Sequence, residues 1–227
     1  MEIDISLYKH FSFDLWLTLI KSNPLFKKKR DVAFKEFFSI DASIESVSDV
    51  IRYYDRLCNQ ISEKTGQHIH THQIYYLILS ALKIDLNKVN DDQLEQYYVC
   101  SEELFWEYKP RLIFPEINLL FKQIRSEGKT ISILSNTAFI KGSALRKLLS
   151  HYELSDFFSF QLYSDEMKFS KPNKQVFEYA YESALKHQKL SKKEIAHIGD
   201  NRFADYDGAI NSGFNAILIQ NKNEVEI

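Results

Sequence analysis

Apolar positions fall into three stretches with different spacing. Residues 10–20 (HFSFDLWLTLI) form a nearly unbroken apolar run, with the length and composition of a buried strand followed by a turn. Asp14 sits in the middle of this run. A carboxylate in a buried strand is costly unless something pairs with it, so Asp14 is the first pointer to chemistry.

Residues 22–108 carry helical spacing throughout. A first helix is predicted over Leu25–Phe38. Ile44, Val47, Ile51, Tyr54, Cys58 and Ile61 recur at intervals of three and four after Asp41, a candidate N-cap, and the pattern ends at Gly66. Thr71 is placed to cap a helix with Ile74, Leu77, Ile78 and Ala81 on one side. Asn90 is placed to cap another, with Leu94, Tyr97, Ser101, Leu104 and Tyr108 in register. Together these predict a four-helix bundle.

From residue 110 strands and helices alternate. Pro115 opens a helix (Ile117, Leu120, Phe121, Ile124) closed by Gly128. Strands are predicted at Thr130–Ser135, Phe158–Tyr163, Ile195–Ile198 and Asn215–Ile219, with helices over about 139–150 and from Pro172, carrying Val176, Phe177, Ala180 and Ala184. Alternation of this kind implies an α/β fold, a Rossmann-like doubly wound parallel sheet covered on both faces. The first strand also needs two covered faces and joins the same sheet. The reading is therefore a core of residues 1–21 and 109–227 with an inserted all-helical segment at 22–108, and hinges near Lys21–Pro24 and Tyr108–Pro110.

Composition narrows the class. With 44% hydrophobic and 26% charged residues the chain reads as an ordinary globular domain rather than a disordered one. A net charge of -2 supplies no basic field for nucleic acid. Cys58 and Cys100 are too few for a disulfide framework and read as reduced core thiols. No apolar run reaches about 18 residues, so no membrane span is expected. The segment Met1–Lys9 is acidic and polar, unlike a secretory signal, and a cytoplasmic location is expected.

In an open parallel sheet, ligands bind beyond the carboxyl ends of the strands. Polar residues fall at those ends: Asp14 and Thr18 after the first strand, Ser135 and Asn136 after TISILS, Lys171 ahead of a helix, and Asp200 and Asp205 after IAHIG. In order, FDLWLTL, ILSNT, SKP and GDNRFADYDGA resemble the four motifs of the haloacid dehalogenase-like hydrolase superfamily, over the whole chain. The insert resembles that family's helical cap. The resemblance implies that Asp14 attacks phosphorus or carbon and becomes covalently esterified. It implies that Ser135 hydrogen-bonds the transferred group and that Lys171 neutralises charge in a dry site. It further implies Mg²⁺ on Asp14, Asp200 and the backbone carbonyl of Trp16, with Asp205 in support. Thr18 and Asn136 complete the motif residues.

One position departs from the pattern. Phosphatases of the family carry a second aspartate two residues after the nucleophile, which protonates the leaving group and then activates water. Here Trp16 stands there, and Leu17 replaces the glycine common before the motif threonine. Loss of a general acid costs about 10²–10⁴-fold. Three readings follow: a Mg²⁺-dependent phosphatase on a small phosphorylated metabolite, with a good leaving group such as an acyl phosphate needing no acid; a dehalogenase-like hydrolase using Asp14 to displace halide; or a non-catalytic protein that binds a phospho-ligand or a partner. Monomer and dimer are both open. Two further features read as structural. His68, His70 and His72 (HIHTH) alternate onto one face of an extended chain, as a metal site needs, but read first as a solvated loop far from the core rim. Lys27–Arg30 reads as a solvated helix face with a secondary option of steering anions.

Overall fold

The computed structural model describes residues 3–219. The ends of the predicted core, 1–2 and 220–227, lie outside the described residues, as do Met1 and Glu2 of the N-terminal segment.

In chain order the elements are β1 His10–Phe13, β2 Ile20–Lys21, α1 Pro24–Phe37, α2 Ile44–Thr65, α3 Thr71–Ala81, α4 Asp91–Glu107 and β3 Arg111–Leu112. They continue with α5 Ile117–Ser126, β4 Thr130–Ser135, α6 Gly142–His151, β5 Phe160–Tyr163, α7 Ser164–Met167, α8 Lys174–Leu185, β6 Ile195–Gly199, α9 Gly208–Asn211 and β7 Asn215–Leu218. Five strands form one sheet in the order β5-β4-β1-β6-β7, every neighbour parallel. The sheet is an α/β, Rossmann-like arrangement with β1 at its centre.

Burial explains that placement. All four residues of β1 are buried, as are all six of β4. Phe11 and Phe13 pack with Phe121 and Ile124 of α5 and Leu145 and Leu148 of α6 on one face. Leu134 and Ile195 meet Val176, Phe177 and Phe214 on the other. The polar side chains of β1 are satisfied within the sheet: His10 bridges Thr130 Oγ1 (2.7 Å) and Ser132 Oγ (2.9 Å), and Ser12 Oγ lies 3.0 Å from His197 Nδ1. Buried polar groups need such partners.

Helices α1–α4 lie between β2 and β3, which pair antiparallel (Ile20 with Leu112, Lys21 with Arg111). They enclose their own cluster, built around Phe34, Val47, Ile74, Tyr75 and Tyr97. Phe139, from the loop after β4, inserts into that cluster and stacks on Tyr75 at 5.9 Å.

Several boundaries differ from the sequence reading. Ser43, not Asp41, caps α2 by accepting the Ser46 N–H at 3.2 Å. His70 rather than Thr71 is the N-cap of α3, and the Thr71 hydroxyl donates instead to the Ala138 carbonyl at 2.7 Å. Helices α5 and α8 begin two residues after Pro115 and Pro172, α8 being capped by Asn173. Ile61 and Leu77 are exposed although their spacing placed them on the apolar stripes. Cys58 is buried, but Cys100 only partly so, and both are free thiols. Asn90 caps α4 as expected, and Gln93 returns a reciprocal bond to the Asn90 N–H; Gly66 ends α2 at φ +69°.

The HIHTH segment is the clearest correction. Gly66 turns the chain onto the core rather than into solvent. Its left-handed φ, and the 2.9 Å approach a Cβ would make to Asn173, both demand glycine. Gln67 then pairs with Phe169, the His68 N–H reaches the Lys168 carbonyl (3.1 Å), and His68 Nδ1 lies 3.1 Å from Ser164 Oγ. His72 meets Glu95 at 3.0 Å. Burial pushes the His68 imidazole down to about 4, so it is neutral at physiological pH.

Candidate active site

The carboxyl ends of β1, β4 and β6 converge, and the predicted residues meet there. The Asp14 N–H donates to the Ile198 carbonyl (2.8 Å), which fixes the backbone just past β1. Asp14 Oδ1 accepts from Lys171 Nζ at 2.7 Å and from the Ser135 hydroxyl at 3.2 Å. Lys171 Nζ also donates to Asp205 Oδ1 (2.6 Å) and to the Leu134 carbonyl (2.7 Å). These three contacts use all three protons of an ammonium. Asn136 pins the lysine backbone from both sides: its Oδ1 accepts the Lys171 N–H at 2.8 Å and its Nδ2 donates to the Lys171 carbonyl at 3.1 Å. Thr18 donates to Asp200 Oδ1 at 3.2 Å.

Asp205 is held on every side. Besides Lys171, its Oδ1 lies 3.2 Å from His197 Nε2, and its Oδ2 accepts the Asn201 N–H at 3.0 Å. Gly199 makes room for it, since a Cβ there would lie 2.3 Å from the Asp205 carboxylate. A buried relay therefore runs from Ser12 through His197, Asp205 and Lys171 to Asp14. The sequence reading did not single out His197, although a histidine inside the apolar strand IAHIG carries the same signal as Asp14.

Electrostatics follow from burial. Burial alone would push the Lys171 ammonium down, but the Asp14 and Asp205 carboxylates outweigh that and hold it protonated. Burial raises Asp14 even against Lys171. Burial also works to raise Asp205, but Lys171 and His197 overcome it and hold Asp205 low. Burial, then the charges of Asp14 and Asp205, push Asp200 up to about 7. His197 is lowered by burial and stays neutral.

Asp14, Asp200 and Asp205 each offer a carboxylate oxygen within 4.8 Å of the others. One ammonium faces three carboxylates, so the cluster is short of positive charge. An all-oxygen donor set of this kind fits Mg²⁺. Asp205 has both oxygens engaged, which leaves Asp14 and Asp200 as the carboxylates facing a cation.

A cavity of about 320 Å³ opens above this cluster. Trp16, half-buried against the main core, and Leu17 form part of its wall. Leu17 adopts a left-handed φ of +59°, which accounts for the glycine that the family pattern favours there. The opposite wall comes from α1 and α2: Lys27 and Arg30, and Asp55, Asn59 and Glu63. Lys27, Lys28 and Lys29 are exposed as expected, but Arg30 is buried, paired with Asp31 at 2.8 Å and lying 4.7 Å above the Phe139 ring. Asp207 pairs with Arg202 at the surface, outside the cluster. Among the described residues no helix is long and apolar enough to cross a membrane.

Comparison with known proteins fits this geometry. Residues 8–213 match the family described as haloacid dehalogenase-like hydrolase. The chain belongs to that family of hydrolases. A glyceraldehyde 3-phosphate phosphatase of Methanothermobacter thermautotrophicus is 24% identical over 204 residues, 82% of this chain and 85% of that protein. An uncharacterized hydrolase of Schizosaccharomyces pombe is 31% identical over 123 residues, 51% of this chain; the match spans about half (52%) of the length of that relative. A magnesium-bound HAD-hydrolase structure, YfnB from Bacillus subtilis, superposes with a TM-score of 0.69 at 18% identity, covering 96% of this chain and 92% of that one.

Proposed function

We propose that the chain is a Mg²⁺-dependent phosphatase acting on a small phosphorylated metabolite through an aspartyl-phosphate on Asp14. The observation that carries this reading is Asp14 itself: a buried carboxylate at the central strand end, oriented by Lys171 and Ser135 and facing a cavity beside Asp200. Phosphoryl transfer is mostly positioning and charge stabilisation, and this cluster offers both.

In this reading an oxygen of Asp14 attacks phosphorus. Ser135, bonded to Asp14 Oδ1, can turn its hydroxyl to a phosphoryl oxygen, while Lys171, its three protons already engaged, orients Asp14 and sets a fixed positive charge beside the phosphoryl group. Asp205 and Asn136 act on Lys171 rather than on substrate, one fixing its ammonium and the other its backbone. Thr18 orients Asp200. Asp14, Asp200 and the Trp16 carbonyl would hold Mg²⁺, which when bound supplies charge neutralisation at the phosphoryl group. Residues 22–108 serve as a cap over a core of 1–21 and 109–227, shutting water out during transfer. The Trp16 indole has no useful proton to give, and acyl phosphates and other good leaving groups need none from that position.

The test is turnover of acetyl phosphate and p-nitrophenyl phosphate with Mg²⁺ by wild type, Asp14→Asn and Trp16→Asp. Wild-type activity that Asp14→Asn abolishes is the expected result. Trp16→Asp should be the faster enzyme on the poorer leaving group. Equal rates for wild type and Asp14→Asn on both substrates would remove the phosphoryl-transfer reading.

A further inference from the structure

The cavity wall opposite Asp14 holds a carboxyl group with no role so far. Helix α2 turns its apolar stripe (Val47, Ile51, Cys58) into the helical cluster and presents Asp55, Asn59 and Glu63, spaced four residues apart, to the cavity. Glu63 is the member that reaches the core rim. Its Oε1 accepts from Asn201 Nδ2 at 2.7 Å, and Asn201 directly follows Asp200. Its Oε2 has no partner among the described residues.

Resting on the phosphatase reading, we infer that Glu63 is the general acid and base of this enzyme, supplied from the helical layer in place of the residue that Trp16 displaces. In-line transfer places the leaving oxygen on the far side of phosphorus from the attacking atom. Asp14 attacks from the sheet, so the leaving oxygen points toward the helical wall that carries Glu63. Among the described residues lining the cavity there is no histidine, cysteine or tyrosine to take the role. Asp200 belongs with the cation, and Asp55 lies two turns up α2, beside Lys27 and Arg30. Burial pushes the Glu63 carboxyl up, Asn201 pulls against it and Asp205 adds to the rise, all of which bears on the protonated form that a donor needs.

The proton balance closes. In the first half, the Asp14 oxygen–phosphorus bond forms, the bond from phosphorus to the leaving oxygen breaks, and the Glu63 proton passes to that oxygen to release an alcohol. In the second, water attacks phosphorus and gives its proton to the Glu63 carboxylate. The Asp14–phosphorus bond breaks, and phosphate leaves with Glu63 protonated again.

The experiment compares kcat/KM, which reports the first transfer, for p-nitrophenyl phosphate and an alkyl phosphate such as glycerol phosphate. Glu63→Gln keeps the acceptor for Asn201 and removes only the proton. It should lose about 10²-fold on the alkyl phosphate and under about tenfold on p-nitrophenyl phosphate, with phosphorylated enzyme accumulating on both. Equal losses on the two substrates overturn the assignment. So does Glu63→Gln behaving as wild type while Glu63→Ala fails on both, which would make Glu63 a latch between layers. Wild type inactive on every phosphate, with Asp14→Asn indistinguishable from it, overturns the phosphatase reading and the inference with it. Activity lost in Asp14→Asn but insensitive to Glu63→Gln overturns the inference alone.

Discussion

Asp14→Asn should make the cation-free protein more stable. The substitution keeps shape and keeps an oxygen that accepts from Lys171 and Ser135, as Asp14 Oδ1 does. It removes one of three carboxylates that share a single ammonium. Both Asp14 and Asp200 sit above their ordinary values in the fold, which means that their ionised forms are disfavoured there. A carboxyl raised in the folded state costs nothing below the unfolded value, and costs progressively more as pH rises toward the folded one. For Asp200 that window runs from 3.8 to about 7. The full shift corresponds to about 4 kcal/mol above pH 7. Asp200 is only part-buried, solvent screens it, and Asp14 is the second cause after burial, so the recoverable part is roughly 1–2 kcal/mol. For a chain of this length that is an increase of about 2–8 °C in Tm. Asp205→Asn, by contrast, removes the carboxylate held low against Lys171 and His197, and should cost about 3–5 kcal/mol. The assay is thermal unfolding in chelator at pH 7.5, repeated with Mg²⁺. Wild type should gain on adding Mg²⁺ and Asp14→Asn should gain less. If Asp14→Asn falls in chelator as far as Asp205→Asn does, the charge excess assigned to the cluster is wrong.

Two other predictions concern the scaffold. His10 is held neutral by burial, its value pushed down to about 3 from 6.5, so its contribution is intact above pH 6.5 and is lost as pH falls toward 3. Wild type should therefore lose about 2 kcal/mol more than His10→Asn between pH 7.5 and pH 5 in urea unfolding, and equal losses would refute the assignment. Gly199→Ala drives a methyl into the Asp205 carboxylate and should displace Lys171 with it, costing about 1–3 kcal/mol and at least 10²-fold in turnover. A variant with wild-type kinetics would show that the relay tolerates the shift.

The strands and the polar residues at their ends were legible because both signals are local. A buried run interrupted by Asp14, and hydroxyl, amide and acid residues after successive strands, need no tertiary knowledge to stand out. The helical insert was legible as helices for the same reason. What its polar faces look at was not. Periodicity shows which α2 residues avoid the apolar cluster, but Glu63 and Asn59 facing a cavity read no differently from residues facing water. Arg30 was hidden in a basic run whose other members are indeed solvated. The docking of His68 on the core escaped because it depends on pairing between Gln67 and Phe169, about a hundred residues apart. His197 was within reach of the same local signal, since it interrupts a buried apolar strand much as Asp14 does.

Phe139 ties the two layers together by a route other than the paired strands. It is rooted three residues after Asn136, which holds the Lys171 backbone, and its ring is embedded among Tyr75 and the other side chains of the helical cluster. Swinging the helices away must either extract that ring into water, at about 1.5–3 kcal/mol, or drag the 136–140 loop along with them. In the first case the arrangement with the Phe139 ring seated dominates at rest and separation of the layers is rare. In the second, admission of a bulkier molecule slackens the grip on Lys171, so the machinery is assembled only when the door is closed.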